Sequence, residues 1–254
     1  MMLPSKELKR RARCVLEGKY FFAANMSCSL MLYSFTVTLI LHYTGLGTSE
    51  KTAGIAFYYI LWVIMALLGS LLEVGLIRYV YLLSRKEKEP VAPKLSYAFR
   101  KQPDTYILVY AFRYLLALVW FIPAILETRK LPVSYLEALS LIKALLPVCL
   151  LVLAGVLPAL IVSLPYGLAC FVLLDQPYIS AREALMSSRR LMKGNYLRLF
   201  KLWLSFLPYV LLIGGTSGVA LLWVKPYFHT TMSQFYMEVS KQKLPEEPQI
   251  SIVV

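Results

Sequence analysis

Charge is scarce in this chain. Asp, Glu, Lys and Arg make up 16 % of its 254 residues, against about 25 % in an average soluble protein. The apolar set AVILMFWYC reaches 59 % and the mean hydropathy is +0.63. Too few polar side chains remain to cover a water-facing globule, so soluble, disordered and collagen-like classes are excluded. Cysteine is also sparse. Cys14, Cys28, Cys149 and Cys170 have no metal-ligand spacing and are too few for a disulfide scaffold, so they read as small buried hydrophobes. The two histidines, His42 and His229, belong to no ligand motif. H-E-x-x-H, a Walker loop, G-x-S-x-G and acids paired at helical spacing are all missing. Catalysis needs a nucleophile, base or metal within mutual reach. The expectation is therefore a non-enzyme with no metal and no cofactor.

What the chain does have is long apolar runs. A hydrocarbon core of ~30 Å takes about 20 apolar residues in a helix. Lipid also obliges backbone groups to pair internally, which leaves helices or closed barrels. These runs are continuous rather than alternating, which selects helices. Tyr20–Tyr43 has 24 residues without formal charge, too long for the ~7–15-residue core of a cleavable signal, and is expected to stay as the first span. The predicted fold is an all-α polytopic transmembrane helical bundle, one integral domain over residues 1–239 with a polar tail, 240–254, expected to be poorly ordered. Its spans are placed at 20–43, 53–84, 105–126, 144–174, 196–213 and 219–239. The fourth is drawn as one kinked helix carrying Pro147, Pro158 and Pro165. The last two depend on Gly214-Gly215-Thr216-Ser217-Gly218. Taken as a turn it gives six spans; ignored, it leaves one span over 202–224 and five in all. We adopt six, which puts Lys225 and His229 inside the last span.

The charges that exist are unevenly spread. Lys and Arg number 27 against 14 acids, net +13. Residues 1–19, 85–104 and 175–201 carry six Lys or Arg each, whereas the alternate connections carry only Lys51, Arg129, Lys130 and Lys143. By the positive-inside rule the N-terminus is cytoplasmic, and the basic excess faces an anionic inner leaflet rather than nucleic acid. Two of these stretches look alike: LKRRARCVLEGKY at 8–20 and SSRRLMKGNY at 187–196. In the first, Leu8, Ala12, Val15 and Leu16 oppose Lys6, Lys9, Arg10 and Arg13. In the second, Ala181, Leu185, Ser188 and Met192 oppose Arg182, Arg189, Arg190 and Lys193. Ser180 and Glu183 form a capping box, and Gly18 and Gly194 suit a left-handed helix stop. The middle stretch, 95–106, keeps Tyr97, Phe99, Arg100, Lys101 and Tyr106 but has Pro103 as its breaker. The economical interpretation is three hairpins, each opened by an amphipathic helix lying on the inner leaflet, with Arg10, Arg13, Arg189, Arg190 and Lys193 as membrane-surface cations. The alternative is that they are the ordinary basic, aromatic flanks of an inner-membrane protein.

On these same residues the chain resembles a bacterial membrane-protein family known as domain of unknown function 975. The resemblance runs through KELKRRARCVLEGKY, GSLLEVGLIRY at 69–79, VLPALIVSLPYGLACFVLLDQP, ALMSSRRLMKGNYLRLFKLWLSF, LLWVKPY and QFYMEV. Its most specific part is residues 188–200. It implies a polytopic protein of a bacterial inner membrane and no particular reaction. Two positions depart from the pattern: Ala159 stands where Gly is expected, and Lys225 where an aliphatic residue is.

Charges inside spans are functional suspects. Arg78 lies ~9 Å from the inner end of its span, within snorkelling reach. Glu73 and Arg113 lie deeper, ~16 and ~13 Å from the inner side. Their matched depths predict a Glu73–Arg113 pair, acting either as a pin between two helices or as a polar site for an amphiphile, ion or partner. Pro158 and Pro165 each free a backbone carbonyl, and a broken helix can line a cavity. Tyr20, Tyr43, Tyr106, Trp203, Trp223 and Tyr227 fall near span ends, as an aromatic belt. Two functions follow: a non-enzymatic protein that organises or assists another membrane protein, and a small transporter or lipid-handling protein built on Glu73, Arg113 and the span-four break. An intramembrane enzyme has least support.

Overall fold

The computed structural model describes residues 4–44, 52–85, 95–128 and 138–243. Their regular structure is all helical. The helices are α1 (Ser5–Leu16), α2 (Tyr20–Tyr43), α3 (Thr52–Arg85), α4 (Tyr97–Arg100), α5 (Pro103–Thr128), α6 (Ala138–Ser163), α7 (Ala169–Asp175), α8 (Ala181–Met192), α9 (Tyr196–Leu204), α10 (Leu207–Gly215) and α11 (Leu221–Lys243). Five stretches are long and apolar enough to cross a membrane: Tyr20–Tyr43, Ala56–Arg85, Pro103–Glu127, Leu145–Asp175 and Tyr196–Gly215. The connections at 45–51, 86–94 and 129–137, and the tail from 244, lie outside the described residues.

The three-fold internal pattern is visible in the backbone. Gly18 (φ +72°) separates α1 from α2, and Gly194 (φ +87°) separates α8 from α9. Between α4 and α5 the left-handed residue is Gln102, φ +50°. Pro103 therefore starts the next helix, where its missing N–H costs nothing, instead of being the breaker itself. The third hairpin turns through residues 216–220, with Ser217 and Gly218 at φ 51° and 91°. The Gly-rich segment thus ends α10 with Gly214 and Gly215 and turns from Thr216 onward, and α11 comes back into the bundle packed chiefly on α1, α2 and α3. It places Tyr227 against Phe206 and Tyr209, and Glu238 against Arg198.

Helix α11 is present where the sixth span was expected, but it extends to Lys243 and is not among the five apolar stretches. Its polarity is absorbed by packing. Thr230, Thr231 and Ser233 are fully buried beside Phe235 and Val239, the Ser233 hydroxyl without a hydrogen-bond partner. Thr230 and Thr231 donate their hydroxyls to the carbonyls of Pro226 (2.7 Å) and Tyr227 (2.8 Å). A helix surrounded by other helices can carry such groups where a lipid-facing one cannot.

The same packing corrects the picture of α1 and α8 as helices lying on lipid. Leu8, Ala12 and Leu16 are buried against the protein, as are Ala184, Ser188, Leu191 and Met192. The buried stripe of α8 is rotated from the expected one: Ala184 and Leu191 replace Ala181 and Leu185. Both apolar faces dock on the bundle because α11, α3 and the segment around 164–175 lie within reach. The cationic faces stay outward: Arg10, Arg13, Arg189, Arg190 and Lys193 are exposed. Arg10 nevertheless pairs with Glu7 at 2.8 Å, and Arg13 reaches the Tyr227 hydroxyl at 3.3 Å. The Arg10 and Arg11 guanidiniums hold the Glu7 carboxyl below its ordinary range.

Span four is two helices, not one kinked one. Pro147 and Pro158 sit within α6, and the chain breaks at Pro165 in a 3-10 turn, Leu164–Tyr166. Ser188 closes the break. Its hydroxyl donates to the Pro165 carbonyl at 2.8 Å and accepts from the Leu168 N–H at 3.2 Å. Two glycines set helix spacing: a Cβ on Gly75 would lie 2.5 Å from Leu95 Cα, and one on Gly155 would lie 2.7 Å from the Trp120 carbonyl.

Several single-residue expectations are also revised. Cys170 is buried, but Cys14 and Cys149 are exposed, because each faces away from the bundle. Tyr106 and Tyr227 belong to the core rather than to a belt. Arg78 stacks on the Tyr97 ring at 4.2 Å instead of snorkelling, since α4 lies directly over it.

Candidate functional site

Helices α3, α5 and α11 bring four ionisable side chains to the wall of one cavity. Glu73 stands ~18 Å along α3 from Arg85, and Arg113 ~15 Å along α5 from Pro103. Lys225 and His229 are four residues apart, hence on one face of α11. Glu73 pairs with α11, not with α5: its Oε1 is 3.3 Å from Lys225 Nζ and 3.0 Å from His229 Nε2. The predicted Glu73–Arg113 bridge is replaced by this triad. The physical reason is that α11, read in the sequence only as a last span with Lys225 and His229 inside it, packs directly on α3 and supplies nearer partners. Arg113 is left with its Nε buried and without a hydrogen-bond partner. The centroid of the Tyr110 ring lies 5.7 Å from its guanidinium carbon.

All four side chains line a cavity of about 880 Å³, a size typical of small-molecule sites. Most of the wall is apolar. It comes from Leu30 and Met31 of α2, Val156, Leu157 and Leu160 of α6, Leu207, Val210 and Ile213 of α10, and Phe206 and Phe228. Trp203 also lines it, and its indole Nε1 is buried without a partner. The cavity thus sets one carboxylate, Glu73, beside Arg113, Lys225 and His229. Two of its lining residues, Arg113 and Trp203, each have a buried N–H group without a partner, and such groups ordinarily have a protein or water partner.

Of the residues singled out from sequence, Glu73 and Arg113 are brought to this cavity. Pro158 and Pro165 are not; their neighbours Leu157, Leu160 and Ser163 line it. The Pro165 carbonyl is already satisfied by Ser188, which removes the reason to expect a ligand there. Trp203, Lys225 and His229 were missed as site residues. The signal for the last two was their four-residue spacing at a depth matching Glu73.

A second cleft, about 790 Å³, lies where α3, α7 and α11 end. There Asp175 Oδ1 accepts from Tyr81 and Arg85, each at 2.7 Å, and its Oδ2 accepts from Tyr236 at 2.9 Å. Nearby, Arg198 holds Glu238 through both carboxylate oxygens at 3.0 and 2.9 Å. These acids are matched by cations and hydroxyls, so the cleft reads as a structural clasp. Arg11, Arg85 and Asp175 border this one cleft, which gathers parts of all three basic stretches at one end of the bundle.

The chain matches the family described as Protein of unknown function (DUF975) over residues 1–243, and it belongs to that family. No curated protein and no solved structure matches it.

Proposed function

We propose that this multi-pass protein binds an amphiphile within the bilayer and handles or translocates it without chemical conversion. The observation that carries the proposal is the cavity: an apolar wall for a tail, with Glu73, Arg113, Lys225 and His229 gathered on it. Ionisable groups at such depth mark substrate or ion pathways by default. In this reading α11 is a sixth crossing. The chain sits in a bacterial inner membrane with its N-terminus, its basic stretches and its C-terminal end on the cytoplasmic side. The charge bias supports that orientation. An organising role toward another membrane protein has less support, because outward-facing residues such as Leu115, Leu153 and Leu211 are also what lipid-facing helices present.

Native mass spectrometry of the full chain released from mild detergent tests this. Wild type should retain an amphiphile adduct, and Leu160→Trp, which fills the cavity, should lose it while keeping its thermal transition. A wild-type spectrum free of adducts after addition of total bacterial lipid extract would contradict the proposal.

A further inference from the structure

We infer that the head of the bound amphiphile is anionic, a carboxylate or phosphate anchored by Arg113 and Trp203. The inference rests on the cavity being an amphiphile site and specifies the class of ligand. Glu73 is occupied by Lys225 and His229 at 3.3 and 3.0 Å. Its negative charge is therefore spent within the protein and does not call for a cationic head. Arg113 is in the opposite position. It cannot lose its proton in a protein, and its Nε faces no protein acceptor. The Arg113 side chain as a whole is half-buried; a partly desolvated charge without a counter-charge is unfavourable, and an acceptor on the ligand relieves it. Trp203 also lines the cavity, and its buried indole N–H has no partner; that group can only donate. Two donors and one uncompensated cation, all beside an apolar wall, specify an acceptor-rich anion with a hydrocarbon tail. A quaternary ammonium head would meet like charge at Arg113 and could accept from neither donor.

The test uses quenching of tryptophan fluorescence in the purified full chain in non-ionic detergent. The probes are brominated dodecanoate, dodecyl phosphate, dodecanol and dodecyltrimethylammonium. Subtracting the Trp203→Phe signal isolates Trp203. The exposed Trp62, Trp120 and Trp223 report non-specific partition of each probe. The two anions should quench Trp203 at concentrations at least tenfold below the alcohol and the ammonium compound. Arg113→Gln should abolish that advantage, and Arg113→Lys should keep part of it. Equal quenching by all four probes would overturn the anionic assignment while leaving the amphiphile cavity in place, as would preference for the ammonium compound. No Trp203 component with any probe would remove the cavity proposal itself. Displacement of dodecyl phosphate by inorganic phosphate at equal concentration would show a free-anion site and overturn the amphiphile class. The ranking of the four probes needs only wild type and the conservative Trp203→Phe reference, so an Arg113 variant that fails to fold does not decide the outcome.

Discussion

Arg113 and Glu73 line one cavity yet should respond oppositely to neutralisation. Glu73→Gln leaves Lys225 and His229 facing an amide where a carboxylate stood at 3.3 and 3.0 Å. Removing one partner of a buried pair costs about 3–5 kcal/mol. The side chains of Glu73 and Lys225 remain 25 % and 27 % exposed, which lowers this to about 2–3 kcal/mol. Arg113→Leu breaks no ion pair. It relieves an unpartnered buried donor, worth about 1–3 kcal/mol, and gives up a distant ring contact worth about 0.5–1 kcal/mol. The net effect is neutral to stabilising by about 1–2 kcal/mol. At about 2–4 °C per kcal/mol for a chain of this size, Glu73→Gln should lower the melting temperature by at least about 4 °C, and Arg113→Leu should leave it unchanged or raise it. Thermal unfolding of the detergent-solubilised variants, followed by circular dichroism, reads both. Destabilisation of Arg113→Leu equal to that of Glu73→Gln would refute the reasoning, because Arg113 would then be a structural pin with a partner of its own.

Ser188→Ala should destabilise by about 1–3 kcal/mol, since the Pro165 carbonyl and Leu168 N–H both depend on that hydroxyl; urea or thermal unfolding measures it. Gly155→Ala should cost about 1–3 kcal/mol by overpacking, its Cβ falling 2.7 Å from the Trp120 carbonyl. Gly214→Ala, with nothing within 4 Å, should be neutral or gain up to about 1 kcal/mol in the same assay. The Ser180 backbone N–H and hydroxyl hold the Glu183 carboxyl below its ordinary pKa of 4.5. Its capping contribution is therefore complete above pH 4.5 and lost as pH falls through the lower folded value. The melting-temperature gap between wild type and Glu183→Gln should close on acidification.

Much of this architecture was legible in the order of residues. The apolar runs, the Gly18 and Gly194 stops and the Ser180–Glu183 cap depend on local spacing and are found in the helices described, and the Gly-rich signal at 214–218 is followed by a turn that starts after Gly215. Burial partners were not legible, because they depend on which helix packs where. Val15, Leu16 and Leu8 mark an apolar face, but nothing in 5–16 says whether lipid or α11 covers it. Pro165 marks a break, yet Ser188, 23 residues away, decides that its carbonyl is satisfied. The same holds at the cavity. Glu73 and Arg113 were identifiable as deep charges, but the choice of partner rested on α11, whose Lys225 stands where the family pattern has an aliphatic residue. Once α11 is packed inside the bundle, that lysine is the counter-charge of Glu73, and Arg113 becomes the group still in need of one.

The most direct measurement is photo-cross-linking with diazirine-bearing palmitate in native membranes, followed by peptide mapping. The account predicts label on residues 27–34, 156–163, 200–213 and 221–229, lost when excess unlabelled palmitate competes. Label confined to outward positions such as Leu115, Leu153 and Leu211, and insensitive to competitor, would contradict an acyl chain residing between the helices.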